Sequence, residues 1–233
     1  MKRFALFLSL AVFAFSVPAF ARPRSRHSGS QAREISRAIA AHYRRAKTLE
    51  AVFLETYRAG ENDLRVESGH VYFRSPGLMR WEYEAPTKKL FLTDGHFAWF
   101  YVPANHTASR TPMRKSADWR TPFALLTGKA DLTKLCSALS IVPSPGGPGA
   151  PPPGHIVVGC RPKKHEDFLD AQIEVDRESR IVRVTVEQAG GITTEVRFGA
   201  WKENIPLPRS LFRFSPPPGV AIVDQESLAG VGP

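Results

Sequence analysis

Polar and apolar residues alternate with a period of two along much of the chain after Leu49. In residues 193–198, for example, Glu195 and Arg197 alternate with Val196 and Phe198. Such alternation places one face of a strand against a core and the other in water, which is typical of an antiparallel sheet rather than a parallel sheet covered by helices. Polar or glycine-containing turns separate the stretches. We therefore predict about ten strands in one large curved antiparallel sheet.

Three short helices are predicted beside this sheet. Apolar residues from Ile35 to Tyr43 recur at steps of three and four, which predicts an amphipathic helix capped near Ser30 and ending near Lys47. Residues 118–128 contain an early proline and end in glycine, and residues 131–135 form a second brief helical stretch. The expected fold class is mainly β (α+β), in one domain over residues 31–233.

The first 21 residues have the pattern of a cleaved signal peptide. A basic start at Lys2 and Arg3 precedes an apolar stretch, and Ala19-Phe20-Ala21 provides the small residues that a signal peptidase requires. We expect cleavage near Ala21 and export to the periplasm, with a disordered basic tail over residues 22–30. The apolar stretch is too short to span a bilayer comfortably, and no later segment approaches about 20 apolar residues.

The chain is basic, with 32 Lys and Arg against 22 Asp and Glu. Loss of the signal peptide removes two basic residues and leaves a net charge of +8. Because an exported protein does not meet nucleic acid, anionic lipid headgroups or an acidic protein surface are the better candidate partners. The alternative is that scattered Lys and Arg only keep the protein soluble.

The two cysteines, Cys136 and Cys160, flank a segment that is dominated by proline and glycine. Ten of the twelve residues from 143 to 154 are Pro or Gly, so this segment is expected to be an extended surface loop. An even cysteine count in an oxidising compartment most often means a disulfide, and a bridge across the base of the loop would reduce its cost in chain entropy. We predict this bridge as a hypothesis.

Motifs of enzymes and of metal sites are missing from the sequence. It has no G-x-S-x-G, no phosphate-binding loop and no G-x-G-x-x-G, and Leu169 stands where an H-E-x-x-H motif starting at His165 would need its second histidine. The carboxylates of Glu82 and Glu84 lie among arginines and fit an ion-paired surface better than a glycosidase pair. We expect no catalytic residues, no metal and no cofactor.

The strands are rich in large apolar side chains. Between Val71 and Tyr83, one parity carries aromatic and aliphatic residues while the other carries Arg74, Arg80 and Glu82. If the sheet curls, these residues and others like them could line a cavity; the alternative is that they fill an ordinary core. The candidate cavity and lid residues are Phe53, Phe73, Met79, Trp81, Phe91, Trp99, Phe123 and Leu126.

Five stretches, in order and spacing over most of the mature chain, resemble the family of periplasmic outer-membrane lipoprotein carriers, LolA. Singly each is weak, but five in the right order behind a signal peptide are specific. They are Tyr43 through Phe53, Gly69-x-Val71-Tyr72-Phe73-x-x-Pro76-Gly77-Leu78-Met79-Arg80-Trp81-x-Tyr83-x-x-Pro86, Thr93-Asp94-Gly95-x-x-x-Trp99-x-Tyr101-x-Pro103, Thr121-Pro122-Phe123-x-Leu125-Leu126, and Phe212-x-Phe214-x-Pro216-Pro217-x-Gly219-Val220.

The resemblance implies an incomplete, half-open β-barrel capped by short helices around an apolar cavity for acyl chains. It further implies a monomeric carrier of acylated lipoproteins, loaded by an inner-membrane ABC transporter and unloaded to an outer-membrane receptor. The family usually has Arg-Pro where this chain has Ser75-Pro76, and that arginine is thought to latch the lid. Arg74 is one position early, so either a bulge restores the latch or the latch is absent.

Two other functions remain open at this point. The same half-barrel could carry another amphiphile, such as a glycolipid, or could act as a lipoprotein sensor that regulates an anti-sigma factor. A sensor would normally need a second domain, for which about 212 mature residues leave no room. A hydrolase is the most distant alternative.

Overall fold

Twelve strands form one open, curved sheet in the computed structural model, which describes residues 26–113, 121–128, 131–144, 150–163 and 168–225. In chain order the strands are β1 Thr48–Ala59, β2 Asp63–Arg74, β3 Leu78–Ala85, β4 Lys89–Thr93, β5 Phe97–Val102, β6 Thr107–Pro112, β7 Cys136–Val142, β8 Ile156–Pro162, β9 Asp170–Val175, β10 Ile181–Gln188, β11 Ile192–Glu203 and β12 Ala221–Asp224. Across the sheet their order is β12-β6-β5-β4-β3-β2-β1-β11-β10-β9-β8-β7. The predicted single curved sheet is confirmed.

The period-two pattern correctly predicts the buried face of the central strands. On β2 and β3, Val71, Phe73, Trp81 and Tyr83 are all buried, and cross-strand register places Val71 opposite Trp81. The residues between them point to the opposite face. We call the face that carries these residues the inner face of the sheet and the opposite one the outer face.

The helix α1 (Arg26–Arg45) lies over the inner face and begins earlier than predicted. Its buried side includes Ala32, Ile39 and Tyr43, as the periodicity indicates. The predicted tail over residues 22–30 is wrong for residues 26–30, which are helical. The added turn is held by tertiary contact, because the Ser28 hydroxyl accepts a hydrogen bond from the backbone N–H of Ile141 on β7 at 3.1 Å.

Two further short helices follow the sequence prediction. A 3-10 helix, Thr121–Thr127, packs beside α1 and ends at Gly128, whose φ is +69° and whose Cα lies so close to Tyr43 that a Cβ would sit 2.8 Å from the Tyr43 carbonyl oxygen. The helix α2 (Leu132–Leu135) is capped by Asp131, whose side chain accepts a hydrogen bond from the Thr133 N–H. We call α1 and the 3-10 helix Thr121–Thr127 together the cap.

After β11 the chain crosses the outer face and adds a parallel strand at the far edge of the sheet. Residues 204–214, here called the crossing segment, include a 3-10 helix at Arg209–Phe212 and lead to β12, which pairs with β6 in parallel. The sheet is therefore mixed rather than wholly antiparallel. A parallel neighbour requires a crossover connection, and the crossing segment provides it.

A disulfide joins β7 to β8. Cys136 and Cys160 lie in these paired strands with a Sγ–Sγ distance of 1.97 Å and a Cα–Cα distance of 5.4 Å. The Pro- and Gly-rich loop connects the same two strands, although its residues 145–149 lie outside the described residues, as do the predicted signal peptide and residues 22–25. In the described part of the chain, no helix has both the length and the apolar character that crossing a bilayer requires.

Candidate functional site

A cluster of aromatic rings fills the centre of the inner face. Trp81, on β3, is fully buried, and its ring centroid lies 5.1 Å from that of Phe53 on β1 and 6.0 Å from that of Phe198 on β11. Phe123, from the cap, approaches Trp81 to 5.1 Å and Phe198 to 5.9 Å, in edge-on geometries. Aromatic pairs favour such edge-to-face contacts. The cap is therefore seated on the sheet by a ring inserted into the sheet's own cluster.

Seven of the eight predicted cavity and lid residues lie in this one buried core. Their buried side chains form part of one connected apolar cluster. The seven are Phe53, Phe73, Met79, Trp81, Phe91, Phe123 and Leu126. A cleft of about 580 Å³ lies elsewhere, where the crossing segment meets Lys47, Arg74 and Ser75.

Trp99 is the exception, and its assignment to the cavity is wrong. Its side chain lies on the outer face, in a second apolar cluster with Leu207 and Phe212, and its ring centroid is 5.1 Å from that of Phe214. The crossing segment covers this part of the outer face, so β4 and β5 are buried on both sides. Alternation cannot assign a face to residues of such strands.

Trp99 is also fixed by a hydrogen-bonded turn. Its Nε1–H donates to Asp94 Oδ2 at 2.9 Å, and the other carboxylate oxygen accepts from the N–H groups of His96 and Phe97. Burial alone would raise the pKa of Asp94, but these hydrogen bonds outweigh it and lower that pKa below its usual value. Trp99 and its turn are therefore part of the outer cluster.

The cap contacts the sheet through a small set of polar groups. The Tyr43 hydroxyl accepts a hydrogen bond from the Ile181 N–H at 2.8 Å, and burial raises the pKa of Tyr43. Near the same end of α1, His42 Nε2 lies 2.9 Å from Glu203 Oε1. A third polar contact is that of Ser28 with the Ile141 N–H on β7. Beside these, buried apolar side chains such as Ile39 and Phe123 seat the cap, and an apolar ligand could replace them.

Arg74 does not latch the cap. It points to the outer face, where its Nη1–H donates to the Leu207 carbonyl in the crossing segment at 2.6 Å. Arg80 makes the matching bond to the Leu211 carbonyl at 3.0 Å. Among the described residues, Ser75 bonds through its backbone N–H, which donates to the Lys47 carbonyl. The predicted latch at Arg74 and Ser75 is therefore replaced by a pair of arginines that fasten the crossing segment.

Replacing Arg74 by glutamine should loosen the crossing segment and leave the cap unchanged. A hydrogen bond from a charged donor is worth about 1.5–3 kcal/mol, so local opening near Leu207 should become at least about tenfold more frequent. Amide hydrogen exchange measures this directly, at residues 205–212 and at residues 121–128. Faster exchange in the cap instead would restore Arg74 as a latch.

A polar end of the inner face was not anticipated from the sequence. Tyr83 donates a hydrogen bond from its hydroxyl to Glu55 Oε2 at 2.9 Å, and Lys89 Nζ donates to Glu67 Oε2 at 2.7 Å. Glu55 and Glu67 are direct cross-strand partners and are both buried. The sequence did contain a signal for it: Glu55 and Glu67 stand at positions where alternation predicts buried apolar residues. The inner face is thus apolar at its centre and charged at the end near the β1–β2 turn.

Among the described residues, no group of three or more His, Cys, Asp and Glu side chains could hold a metal ion. Buried carboxylates in this part of the chain are instead engaged with Tyr, Lys, His or Arg. Glu174, for example, lies 2.7 Å from both His155 Nδ1 and Arg183 Nη2. The outstanding chemical feature of the inner face is its apolar ring cluster.

Comparison with known proteins relates this arrangement to a family. The family model described as outer membrane lipoprotein carrier protein LolA matches residues 44–215. A protein of Nitrosospira multiformis named outer-membrane lipoprotein carrier protein is 31% identical over 185 residues, covering 77% of this chain and 84% of that protein. One of the same name from Pseudomonas aeruginosa (strain UCBPP-PA14) is 26% identical over 184 residues, covering 78% and 83%.

The fold is similar to that of a solved structure. An uncharacterized conserved protein from Thermus thermophilus superimposes with a TM-score of 0.52 at 12% identity, over 84% of this chain and 99% of that chain. This likeness concerns the fold alone. The family match covers most of the chain, including the rings of Phe53, Trp81, Phe123 and Phe198. The chain therefore belongs to the LolA family of outer-membrane lipoprotein carrier proteins.

Proposed function

We propose that this protein carries acylated lipoproteins through the periplasm, from the inner to the outer membrane, and holds their acyl chains on the inner face of its sheet. The observation that carries this proposal is the ring cluster that Phe123 of the cap completes. Family membership and an apolar site covered by a separate element both support it. The sheet provides the binding surface and the cap provides the cover.

Energetics explain why such a carrier needs a covered site. Burying one methylene group contributes about 0.8 kcal/mol, so an acyl chain of about 15 methylenes would cost roughly 12 kcal/mol to leave in water. The carrier must therefore bind the acyl chain with a free energy close to that value at loading, and this binding must weaken at delivery. A site that its own side chains fill when the cap is closed meets both conditions, because each bound chain replaces existing contacts instead of entering an empty pocket.

Phe123 is the side chain that an acyl chain would displace first in this mechanism. It comes from the cap, and its ring occupies the space between Trp81 and Phe198. In the empty carrier the Phe123 ring lies in this space; in the loaded carrier an acyl chain would lie there, with the Phe123 ring packed against the chain's outer side. These two positions make the cap a two-state element, and partners that bind one state shift the balance toward loading or release.

Trp81 supplies a polar contact at the same place. Its Nε1–H is buried and has no hydrogen-bond partner in the described part of the chain. A buried unsatisfied donor costs about 1–3 kcal/mol, and an ester or amide carbonyl of an acylated cysteine would accept its hydrogen bond. The site thus combines apolar contacts for the chains with one donor for their polar linkage.

The proposed route assigns partners at both membranes. An inner-membrane ABC transporter would load the carrier, an outer-membrane receptor would accept the cargo, and the signal peptide over residues 1–21 would bring the protein to the periplasm. The carrier itself would perform no covalent chemistry in this cycle. Its cargo class would be set by the acyl chains, since the inner face is apolar where they bind.

A release assay tests the proposal. Spheroplasts that make an outer-membrane lipoprotein are incubated with the purified protein, and lipoprotein released to the supernatant is measured. We expect release of the acylated lipoprotein in a complex with this protein. A carrier of glycolipids would release lipid and no lipoprotein, and a sensor would release neither. Either of these outcomes would contradict the proposed cargo.

A further inference from the structure

Arginines dominate the exposed side of the cap helix. Arg33, Arg37, Arg44 and Arg45 are all exposed on α1, while Glu34 is the acidic residue among them. At about 100° per residue, Arg33, Arg37 and Arg44 fall within about 40° of one another around the helix and span about 16 Å along it. The three therefore form one stripe, here called the arginine stripe.

The side chains of the arginine stripe form no ion pair with another described residue. None of the salt bridges or hydrogen-bonded side-chain pairs formed between described residues includes Arg33, Arg37 or Arg44. Elsewhere on the same molecule most basic side chains of the sheet are paired, for example Arg180 with Asp176. A row of guanidinium groups that lack an ion-pair partner in the described part of the chain is thus available to an external anion. Guanidinium groups bind phosphate through two parallel N–H bonds, which suits phosphodiester headgroups.

From this geometry we infer that α1 docks on an anionic phospholipid surface through the arginine stripe. The exposed side of the helix carries Ser30, Gln31 and Ala38 besides its charged residues, and no large apolar side chain. Protein interfaces take most of their energy from aromatic and other large anchors, whereas a flat, charged lipid surface requires only charge. The stripe fits the second kind of partner.

Docking in this orientation has a consequence for the cap. The helix α1 lies between the inner face and solvent, so a bilayer that holds the arginine stripe would lie directly outside the cap. The inner-face cluster would then be separated from the membrane by one helix. This inference rests on the proposed carrier function and names the surface through which the carrier contacts a membrane. It can fail while the carrier function stands, because vesicles without lipoprotein are sufficient to test it.

Vesicle co-sedimentation of the mature protein tests the inference. Vesicles of phosphatidylcholine mixed with phosphatidylglycerol are compared with vesicles of phosphatidylcholine alone, at low and at high salt. We expect binding to the mixed vesicles at low salt and its loss at high salt, where charges are screened. The variant R33Q/R37Q/R44Q should bind the mixed vesicles about 100-fold more weakly, since each arginine near an anionic surface contributes a factor of about five.

A matched control separates the stripe from net charge. The variant R58Q/R209Q/R213Q loses the same charge from exposed positions outside the cap, two of them on the crossing segment of the opposite face. It should bind like wild type. Equal weakening in both variants would reduce the effect to net charge and overturn the inference. The inference would also be overturned if R33Q/R37Q/R44Q bound vesicles like wild type but lost lipoprotein uptake. In that case the arginine stripe would bind an acidic protein surface and not a membrane.

Discussion

Replacing Phe123 by aspartate should abolish lipoprotein binding while the twelve-stranded sheet stays folded. Phe123 is 1% exposed and its ring contacts Trp81 and Phe198. A carboxylate in that apolar site would cost several kcal/mol, so the cap could not close over cargo or over its own cluster. We expect affinity for an acylated lipoprotein to fall by about 100-fold or more. Binding is measured by retention of the lipoprotein on immobilised carrier.

Two comparison variants identify the cause. Phe123→Leu keeps an apolar side chain and should retain most of the binding. Leu54→Asp introduces the same charge at an exposed outer-face position, opposite Arg197, and should behave like wild type. Circular dichroism reports the sheet in all three proteins. If Phe123→Asp binds cargo as well as wild type does, Phe123 is only a packing residue and the cap does not cover the acyl chains.

Removing the disulfide should produce the largest loss of stability among changes outside the ring cluster. Cys136 and Cys160 are 24 residues apart, and closing a loop of that length contributes roughly 3 kcal/mol in the chain-entropy account. The loop between them is rich in Pro and Gly, and β7 is an edge strand with one sheet neighbour. The double variant C136A/C160A should melt about 6–12 °C below wild type, as measured by calorimetry.

Reduction provides an internal control for this experiment. Wild-type protein treated with dithiothreitol should melt near the double variant, and the double variant should not respond to dithiothreitol. Equal melting temperatures for the oxidised wild type and C136A/C160A would mean that the bridge does not form in the protein or does not constrain its unfolded chain.

Local patterns predicted the central sheet and most of the ring cluster. Alternation correctly predicts which side chains between Val71 and Tyr83 are buried, because β2 and β3 each have one buried and one more exposed face. Phe123 is a candidate because of its large apolar side chain, but no local pattern shows that it meets Trp81, since its helix is short and distant in sequence from β3. Phe198, a member of the cluster, lies in a predicted strand but is not among the candidate cavity residues, because alternation alone does not show which strands lie beside β3.

The errors arise where a distant segment changes the environment of a strand. Trp99 lies on a strand covered on both faces, so its own neighbours in sequence cannot show which face it occupies. The early start of α1 depends on Ser28 bonding to Ile141, and the parallel pairing of β12 depends on the crossing segment. Each is a contact between residues that are far apart in the sequence, so the pattern of a short segment cannot predict it.

Native mass spectrometry of the protein purified from the periplasm is the most direct test of the carrier function. We expect a complex of this chain with a polypeptide that bears acyl chains on its N-terminal cysteine, and its dissociation when Phe123 is replaced by aspartate. Recovery of the chain with a glycolipid or another small amphiphile, and with no acylated polypeptide, would contradict the account.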